Sequence, residues 1–367
     1  MARQPLHRRQ LLQAAALTLS AAPAVFAQGR RRPNILLLFP DQHRHDFVGG
    51  NPRIPCQTPV LDQLARTGVR FTRAMVPSPL CAPSRACLAS GREYYRCGVR
   101  SNGQDYPLDQ PTIYQALRES GYHVMGCGKL DLHKATPDWG IDGKRFLPEW
   151  GFSDGIDNAG KMDAIVSGAR EPRDPYMALL HRRGLAAMHV EDFRRRAQQA
   201  SYLYTAPTPL PEDLYCDNWI GANAIELLRN AAPNKPWFLQ VNFTGPHNPV
   251  DITRRMERTC RTRNYPQPID SDQYTPFRHN MIRQNYAAMV ENVDRLSGLI
   301  LGEVRRRGEL ANTLVIFSSD HGEMLGDHER WGKNVPYHQS VGVPLYISGP
   351  GVARGLVSDA LVSLIDV

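Results

Sequence analysis

Short apolar runs alternate with helical patterns along most of the chain. Six of these runs are rich in β-branched and aromatic residues and predict strands: Ile35 to Phe39, Val69 to Phe71, His123 to Cys127, Trp237 to Phe243, Thr313 to Phe317 and Leu345 to Ile347. Before the fifth run, apolar residues recur every three or four positions and predict an amphipathic helix: Tyr286, Met289, Val290, Val293, Leu296, Ile300, Leu301 and Val304, with Gly308 as its stop. A second helix is predicted from Thr58 to about Thr67. The alternation predicts an α/β fold, a doubly wound, mostly parallel sheet flanked by helices.

Polar side chains follow four of the predicted strands directly. They are Asp41-Gln42 after the first strand, Gly128-Lys129 through His133 after the third, Gly245-Pro246-His247 after the fourth, and Asp320-His321 after the fifth. In an open α/β sheet, ligands bind at the carboxyl ends of the strands, so we expect these residues to converge on one pocket. The segment 137–211 is rich in Gly, Pro, Asp and Arg and has weak periodicity. It predicts an insertion of loops and short helices over an active site.

The first residues have the pattern of an export signal. Arg8-Arg9 precede an apolar, uncharged run from Leu11 to Val25, and cleavage is expected after Ala27. The run is shorter than the roughly 20 apolar residues of a bilayer span, so we expect no stable membrane anchor. The paired arginines favour the bacterial twin-arginine route. Residues 1–27 are therefore predicted to be a signal peptide, and 28–367 a single domain in the periplasm or outside the cell.

Charge and cysteine content narrow the possible functions. The formal charge is +8, but the Lys and Arg residues are scattered, which argues against nucleic-acid binding. The chain has seven cysteines and no CxxC pattern: Cys56, Cys81, Cys87, Cys97, Cys127, Cys216 and Cys260. An odd number in an oxidising compartment leaves one cysteine over. That residue is either a buried free thiol or one with a chemical role.

Oxygen donors at two strand ends predict a cation site. Asp41, Gln42 and Asp320 offer carboxylate and amide oxygens, which hard cations prefer, and His321 adds an imidazole. This set predicts Ca²⁺, with Mg²⁺ or Mn²⁺ as alternatives because of the imidazole. Asp41 considered alone is equally well explained as a helix N-cap.

The most specific stretch is Cys81-Ala82-Pro83-Ser84-Arg85, continued by Gly91-Arg92. It resembles the C-x-P-S-R…G-R signature of the type I, formylglycine-dependent sulfatases of the alkaline phosphatase superfamily. The resemblance runs along nearly the whole mature chain, through Pro33-Asn34-Ile35, Thr58 to Ala65, Gly68 to Thr72, Val343-Pro344 and Gly349-Pro350-Gly351. It implies that a formylglycine-generating maturation enzyme oxidises Cys81 to an aldehyde. The hydrated aldehyde would be both nucleophile and metal ligand; the alternative for Cys81 is an ordinary core thiol.

The same resemblance implies roles for four further residues. Arg85 would hold the formylglycine hydroxyl, and Lys129 and Lys333 would grip the sulfate oxygens, where fixed cations offset negative charge. His247 would protonate or hydrogen-bond the leaving alcohol. The alternatives are solvated surface lysines and, for His247, a residue that only shapes a turn between two prolines.

The chain departs from the family pattern at three places. Gln42 stands where many members have a second aspartate, and we still expect it to be a ligand. Asp131 stands where a histidine is usual; His133, two residues further on, is our preferred candidate for assisting elimination from the formylglycine. The chain ends at Val367, where the family continues into a helix and a small antiparallel sheet, so this C-terminal subdomain is expected to be missing.

Together these features predict a sulfuric ester hydrolase acting on a sulfated carbohydrate or an aryl sulfate. One alternative is a phosphonate monoester or phosphodiester hydrolase of the same superfamily. A second alternative, from another functional class, is a non-catalytic relative that binds sulfated glycans.

Overall fold

The computed structural model describes residues 32–367, so the predicted signal peptide at 1–27 lies outside the described residues. The strands are β1 Asn34–Leu38, β2 Gly68–Met75, β3 His123–Gly128, β4 Asp154–Asp157, β5 Trp237–Asn242, β6 Thr313–Phe317, β7 Leu345–Ser348 and β8 Leu356–Ser363. The α-helices are α1 Pro59–Thr67, α2 Cys81–Ser90, α3 Ile113–Glu119, α4 Leu147–Trp150, α5 Lys161–Gly168, α6 Pro175–Arg182, α7 Ala186–Gln198, α8 Cys216–Asn230, α9 Arg254–Cys260, α10 Pro276–Arg306 and α11 His338–Val341.

The eight described strands form one sheet in the order β4-β3-β5-β1-β6-β7-β2-β8. Every pairing is parallel except those of β7, which runs antiparallel to both β6 and β2. In the centre, Leu36 of β1 is in register with Leu239 of β5 and with Val315 of β6. The predicted doubly wound, mostly parallel sheet is therefore confirmed.

Successive residues of the central strands pack into cores on opposite faces of the sheet. Leu36 and Leu38 of β1 belong to one buried cluster, and Leu37 and Phe39 belong to another. This alternation follows from the two-residue period of a strand, and it explains why the run has no polar face. Helix α10 buries the C-terminal part of the predicted apolar stripe in the first core, where Val293, Leu296 and Ile300 lie. The N-terminal part, Tyr286, Met289 and Val290, lies in a third buried cluster.

All six predicted strands and both predicted helices are present, with boundaries that differ by a few residues in the strands. Helix α10 begins at Pro276, ten residues before the predicted stripe, with Thr275 as its N-cap. The segment 137–211 supplies four short or medium helices, α4 to α7, but also the edge strand β4, which the sequence analysis missed. Strand β4 is only Asp-Gly-Ile-Asp, so it has no apolar run by which it could be recognised. Among residues 32–367, no helix combines the length and apolar character needed to cross a membrane.

Helix α1 is capped by a side chain from another helix. Thr58 makes no capping bond to α1, and its hydroxyl instead accepts from the Gly49 backbone N–H at 2.8 Å. The N–H groups of Val60 and Leu61 lie in the first turn, where the helix itself offers no acceptor. They donate to the two carboxylate oxygens of Asp294 on α10, at 3.1 and 2.9 Å. Asp294 thereby satisfies two of the donors that every helix start leaves unpaired, and it joins α1 to α10.

We expect Asp294 to make stability depend on pH. Burial, opposed in part by the two backbone donors, raises the pKa of Asp294 from 3.8 to about 7. Between these values the folded protein holds a proton that the unfolded chain has released, so stability falls as the pH rises from about 4 to about 7. Asp294→Asn should reduce this fall by on the order of 1–2 kcal/mol. The melting temperature of both proteins across pH 5 to 8 measures the effect.

The exposed Asp359 on β8 provides the control, since Asp359→Asn should leave the pH profile unchanged. Part of the fall in stability with rising pH should remain in Asp294→Asn, because burial also raises the pKa of Asp174 to about 7. A profile identical to that of the wild type would contradict the role given to Asp294.

Candidate active site

Cys81 is the first residue of helix α2 and is buried. The loop after β2 delivers it to the sheet edge that also receives the ends of β1, β3, β5 and β6. Pro83 fits the first turn of a helix, where its missing N–H has no partner to lose. The positive end of the helix dipole therefore lies at Cys81 and favours negative charge there.

Four donor groups from three parts of the chain meet around Cys81. A carboxylate oxygen of Asp41, a carboxylate oxygen of Asp320, a ring nitrogen of His321 and the sulfur of Cys81 all lie within 4.8 Å of one another, and all four residues are buried. The Cys81 Sγ is 3.2 Å from His321 Nε2. The structure thus brings these four residues of the predicted metal site together.

The donor set fits a divalent cation. Asp41 Oδ1 is buried and has no hydrogen-bond partner among residues 32–367. A buried carboxylate oxygen without a partner is costly, and a cation bound among these groups would satisfy it. The carboxylates suit a hard cation such as Ca²⁺, Mg²⁺ or Mn²⁺, whereas the imidazole is a donor that transition metals use readily.

Arg85 and Lys129 hold the two carboxylates in place. The Arg85 guanidinium donates to Asp320 Oδ2 at 2.9 Å and to Asp41 Oδ2 at 3.2 Å. It also donates to the Lys129 carbonyl at 2.6 Å and to Asn242 Oδ1 at 3.1 Å. The Lys129 ammonium bonds to Asp41 as well. These four hydrogen bonds of the Arg85 guanidinium all go to protein oxygens, so Arg85 holds Asp41 and Asp320 in position.

Gly128 allows Lys129 to reach this position. Its φ is +92°, and a Cβ there would lie 2.0 Å from the carbonyl oxygen of Asn242 on the neighbouring strand. Only glycine fits such a close approach of two backbones. The Lys129 N–H then donates to the same carbonyl at 3.0 Å, which fixes the direction in which the lysine leaves the sheet.

Surrounding cations shift the titration of the buried acids. Burial raises the pKa of the Cys81 thiol, as does Asp41, but Lys129, Lys333 and His321 outweigh both and hold that pKa well below its ordinary value. The Asp41 carboxyl is likewise held well below its usual pKa against the effect of burial, chiefly by Lys129, with smaller contributions from His247, Lys333 and Arg85. The site is therefore arranged to stabilise negative charge at residue 81.

Lys333 and His247 form a pair on the other side of Cys81. The Lys333 ammonium donates to Gln42 Oε1 at 2.5 Å and to His247 Nε2 at 2.6 Å. His247 Nδ1 bonds to the Asn248 carbonyl, so its Nε2 is the acceptor in the neutral ring. Burial, reinforced by Lys333, lowers the pKa of His247. Gln42 also donates its backbone N–H to Asp320 Oδ1 at 2.9 Å, which ties it to the donor cluster.

The structure corrects the preference for His133 over Asp131. His133 Nε2 bonds to Asp157 at 3.0 Å and Nδ1 to the Thr136 carbonyl at 3.2 Å, so neither nitrogen is available to Cys81. The chain turns at Asp131, whose φ is +57°, and carries His133 away from the site. Asp131 itself lies 3.0 Å from Lys129 Nζ and is the residue that the structure places beside the site.

A cavity of about 260 Å³ opens over Cys81. Lys129, His247 and Lys333 line it together with residues that the sequence analysis did not single out: Asn102, Lys134, Gly160, Lys161, Met162, Asp163, Thr244 and Asn248. Two further residues near the site could have been found from the sequence. Asn242 is a polar residue within a predicted buried strand, and Glu323 is an acid close to Asp320-His321. A larger cavity of about 680 Å³, beside Arg44, Arg53 and Arg70, contains none of the predicted site residues.

Comparison with known proteins agrees with this geometry. The sulfatase family model matches residues 33–367. An arylsulfatase from Clostridium perfringens is 27% identical over 92% of this chain and 73% of its own length. A choline-sulfatase from Rhizobium meliloti is 25% identical over 89% of this chain, which spans 64% of that relative.

Solved structures share the fold. A phosphonate monoester hydrolase of Agrobacterium radiobacter superimposes with a TM-score of 0.73 at 24% identity, over 91% of this chain and 72% of that one. The family model spans nearly all the described residues, and the structure brings Cys81 and the residues of four strand ends together. The chain belongs to the sulfatase family.

Proposed function

We propose that the protein hydrolyses sulfate esters by means of a formylglycine made from Cys81. The observation that carries the proposal is the convergence on Cys81 of two kinds of group. Asp41, Asp320 and His321 surround its sulfur with cation ligands. Lys129 and Lys333 line the cavity above it with donors for a tetrahedral anion, and His247 lines the same cavity beside Lys333.

The protein groups have separate tasks in this reaction. The sulfur of Cys81 marks the position of the formylglycine hydroxyls, one of which attacks the sulfur atom of the ester. The bond from that sulfur atom to the alcohol oxygen then breaks. Lys129 and Lys333 offset the charge on the remaining sulfate oxygens. His247 Nε2 accepts from the Lys333 ammonium and lines the cavity, so we assign to this pair the proton that the departing alcohol takes up.

The second half of the reaction releases sulfate. The other formylglycine hydroxyl loses its proton, the carbonyl re-forms and the bond to the sulfate oxygen breaks. Asp131, 3.0 Å from Lys129, is the candidate acceptor for that proton. Water then hydrates the aldehyde again. A geminal diol permits this elimination, which a serine or cysteine side chain does not.

The proposal includes a divalent cation held by Asp41, Asp320, His321 and residue 81, with Gln42 beside them. When bound, this cation polarises the ester and favours the ionised hydroxyl. Calcium is our first choice because oxygen donors predominate; the imidazole of His321 keeps Mg²⁺ and Mn²⁺ as alternatives. We also propose export through the segment 1–27 and maturation by a formylglycine-generating enzyme.

Phosphonate monoesters are the second candidate substrate. They present a tetrahedral centre with one negative charge, as sulfate esters do, so the lysines that suit one anion also suit the other. The small-molecule sulfate esters in the names of the two relatives favour sulfate. A sulfated sugar and an aryl sulfate both carry the sulfate ester that these groups would bind, so both belong to the proposal.

An assay on paired substrates tests the proposal. Protein co-expressed with a formylglycine-generating enzyme is given an aryl sulfate, the matching aryl phosphonate monoester and a panel of sulfated sugars. We expect the larger kcat/KM for a sulfate ester. A much larger value for the phosphonate would replace sulfate by phosphonate in the proposal. Binding of sulfated sugars without turnover of any ester, in protein that carries the aldehyde, would favour the non-catalytic alternative.

A further inference from the structure

Glu323 is fully buried behind the site, and its carboxylate accepts four hydrogen bonds. Oε1 accepts from the backbone N–H groups of Leu325 and Gly332, at 2.9 and 2.7 Å. Oε2 accepts from the Tyr202 hydroxyl at 2.9 Å and from the side-chain amide of Gln42. A carboxylate has only acceptor sites, so each of these four groups must present a hydrogen to Glu323.

This requirement determines which end of the Gln42 amide faces Lys333. The NH₂ end is taken by Glu323, with Asn248 Oδ1 as a second acceptor at 3.3 Å. The oxygen end therefore faces the Lys333 ammonium, 2.5 Å away. With the amide reversed, an NH₂ group would point at an ammonium, and two donors without an acceptor repel. Lys333 would then leave its place beside His247.

We propose that Glu323 is a positioning residue that fixes the amide orientation of Gln42 and thereby holds Lys333 against His247. This inference rests on the proposed function, since it concerns the lysine and the histidine assigned there to the sulfate and to the leaving group. Glu323 acts at two points of the same chain of contacts. Its Oε1 anchors the backbone of Gly332, next to Lys333, and its Oε2 orients Gln42.

Glu323→Gln is the sharpest perturbation because it preserves shape and changes only donors and acceptors. The N–H groups of Leu325 and Gly332 cannot turn around, so the new amide must keep its oxygen towards them. Its NH₂ group then replaces Oε2. The Tyr202 hydroxyl can rotate and accept, but Gln42 must flip to offer its oxygen. We expect kcat/KM to fall about 10- to 100-fold, the range for partners that orient site residues.

A second substitution should restore the orientation. In Glu323→Gln/Gln42→Glu, one oxygen of the new carboxylate at position 42 accepts from the new amide, and the other faces Lys333. We expect kcat/KM within about fivefold of wild type, and well above that of Gln42→Glu alone, in which two carboxylates meet. Tyr202→Phe, which removes only the phenol bond, is the matched control and should stay within about threefold.

Thermal unfolding of the wild type, Glu323→Gln, Gln42→Glu and the double variant tests the contact without any substrate. The double variant should melt at a higher temperature than the two single effects predict when added. An inactive wild type would refute the proposed function, while this cycle would still test the contact between positions 42 and 323. Wild-type activity in Glu323→Gln, a double variant no better than Glu323→Gln, or additive melting shifts would each overturn the inference.

Discussion

Cys81→Ala should abolish hydrolysis, with kcat reduced by at least about 10⁴-fold, the scale of losing a covalent nucleophile. The side chain at position 81 contacts His321 at 3.2 Å and is the only one of the four clustered donors that can become an aldehyde. Lys129, Lys333 and His247 would remain to bind sulfate. The variant should therefore still bind inorganic sulfate in a calorimetric titration, although it turns over no ester.

Cys87→Ala is the matched control. Cys87 is buried in the same helix, α2, and does not line the cavity. It should lose stability through the deleted sulfur and keep its kcat within a few-fold of wild type. Peptide mass spectrometry of residues 81–92 completes the test, because conversion to the aldehyde lowers the peptide mass. Normal turnover by Cys81→Ala would remove the basis of the proposed mechanism.

Asp41→Asn should cost about 10²- to 10³-fold in kcat/KM and should also abolish stabilisation by a divalent cation. Within the part of the chain that the structure describes, Asp41 Oδ1 has no hydrogen-bond partner, while its Oδ2 pairs with Arg85 and Lys129. An amide keeps the shape but loses the charge. A saturating cation at 100 times its Kd stabilises the folded protein by about 2.7 kcal/mol, which corresponds to several degrees in Tm.

The measurement is Tm with and without Ca²⁺, Mg²⁺ or Mn²⁺ after treatment with a chelator. Wild-type protein should gain several degrees with at least one of these ions, and Asp41→Asn should gain none. Asp46→Asn is the control, because Asp46 lies in the same loop, pairs with Arg44 and is outside the cluster. An equal gain in wild type and Asp41→Asn would exclude Asp41 as a ligand, and the panel of ions shows which cation the His321 imidazole favours.

Helix α2 and strand β4 show where sequence reasoning about the fold was weak. The helix begins at Cys81 without a side-chain cap and lacks a clear apolar stripe, since nine of its ten residues are buried. A helix that is buried all round has no periodicity to detect. The strand has acids at both ends and one isoleucine between them. Strands β1 and β6 were recognised because they are buried on both faces and are apolar over most of their length. Strand β5 is also buried throughout and is apolar except at Gln240 and Asn242.

The sequence predicted the four donors that meet around Cys81 and the lysines beside them, but not most of the cavity lining, Asn242 or Glu323. Asp41, Asp320 and His321 stand at strand ends, and parallel strands bring their carboxyl ends to one edge, so their convergence with Cys81 followed from the order of elements. The choice between Asp131 and His133 could not be made from the order of elements, because both residues lie in the same loop. One residue in a left-handed conformation, Asp131 itself, sends His133 to Asp157.

By itself, then, the sequence determined the layered α/β architecture and the donors that meet around Cys81, because hydrophobic periodicity and the polar residues at strand ends are local properties of the chain. Only the tertiary structure decided the hydrogen-bond partners. Glu323 reaches Gln42 across 281 residues, and Lys333 reaches His247 across 86. Which group donates and which accepts in such a contact depends on all the neighbouring donors and acceptors. These groups come together only when the chain has folded.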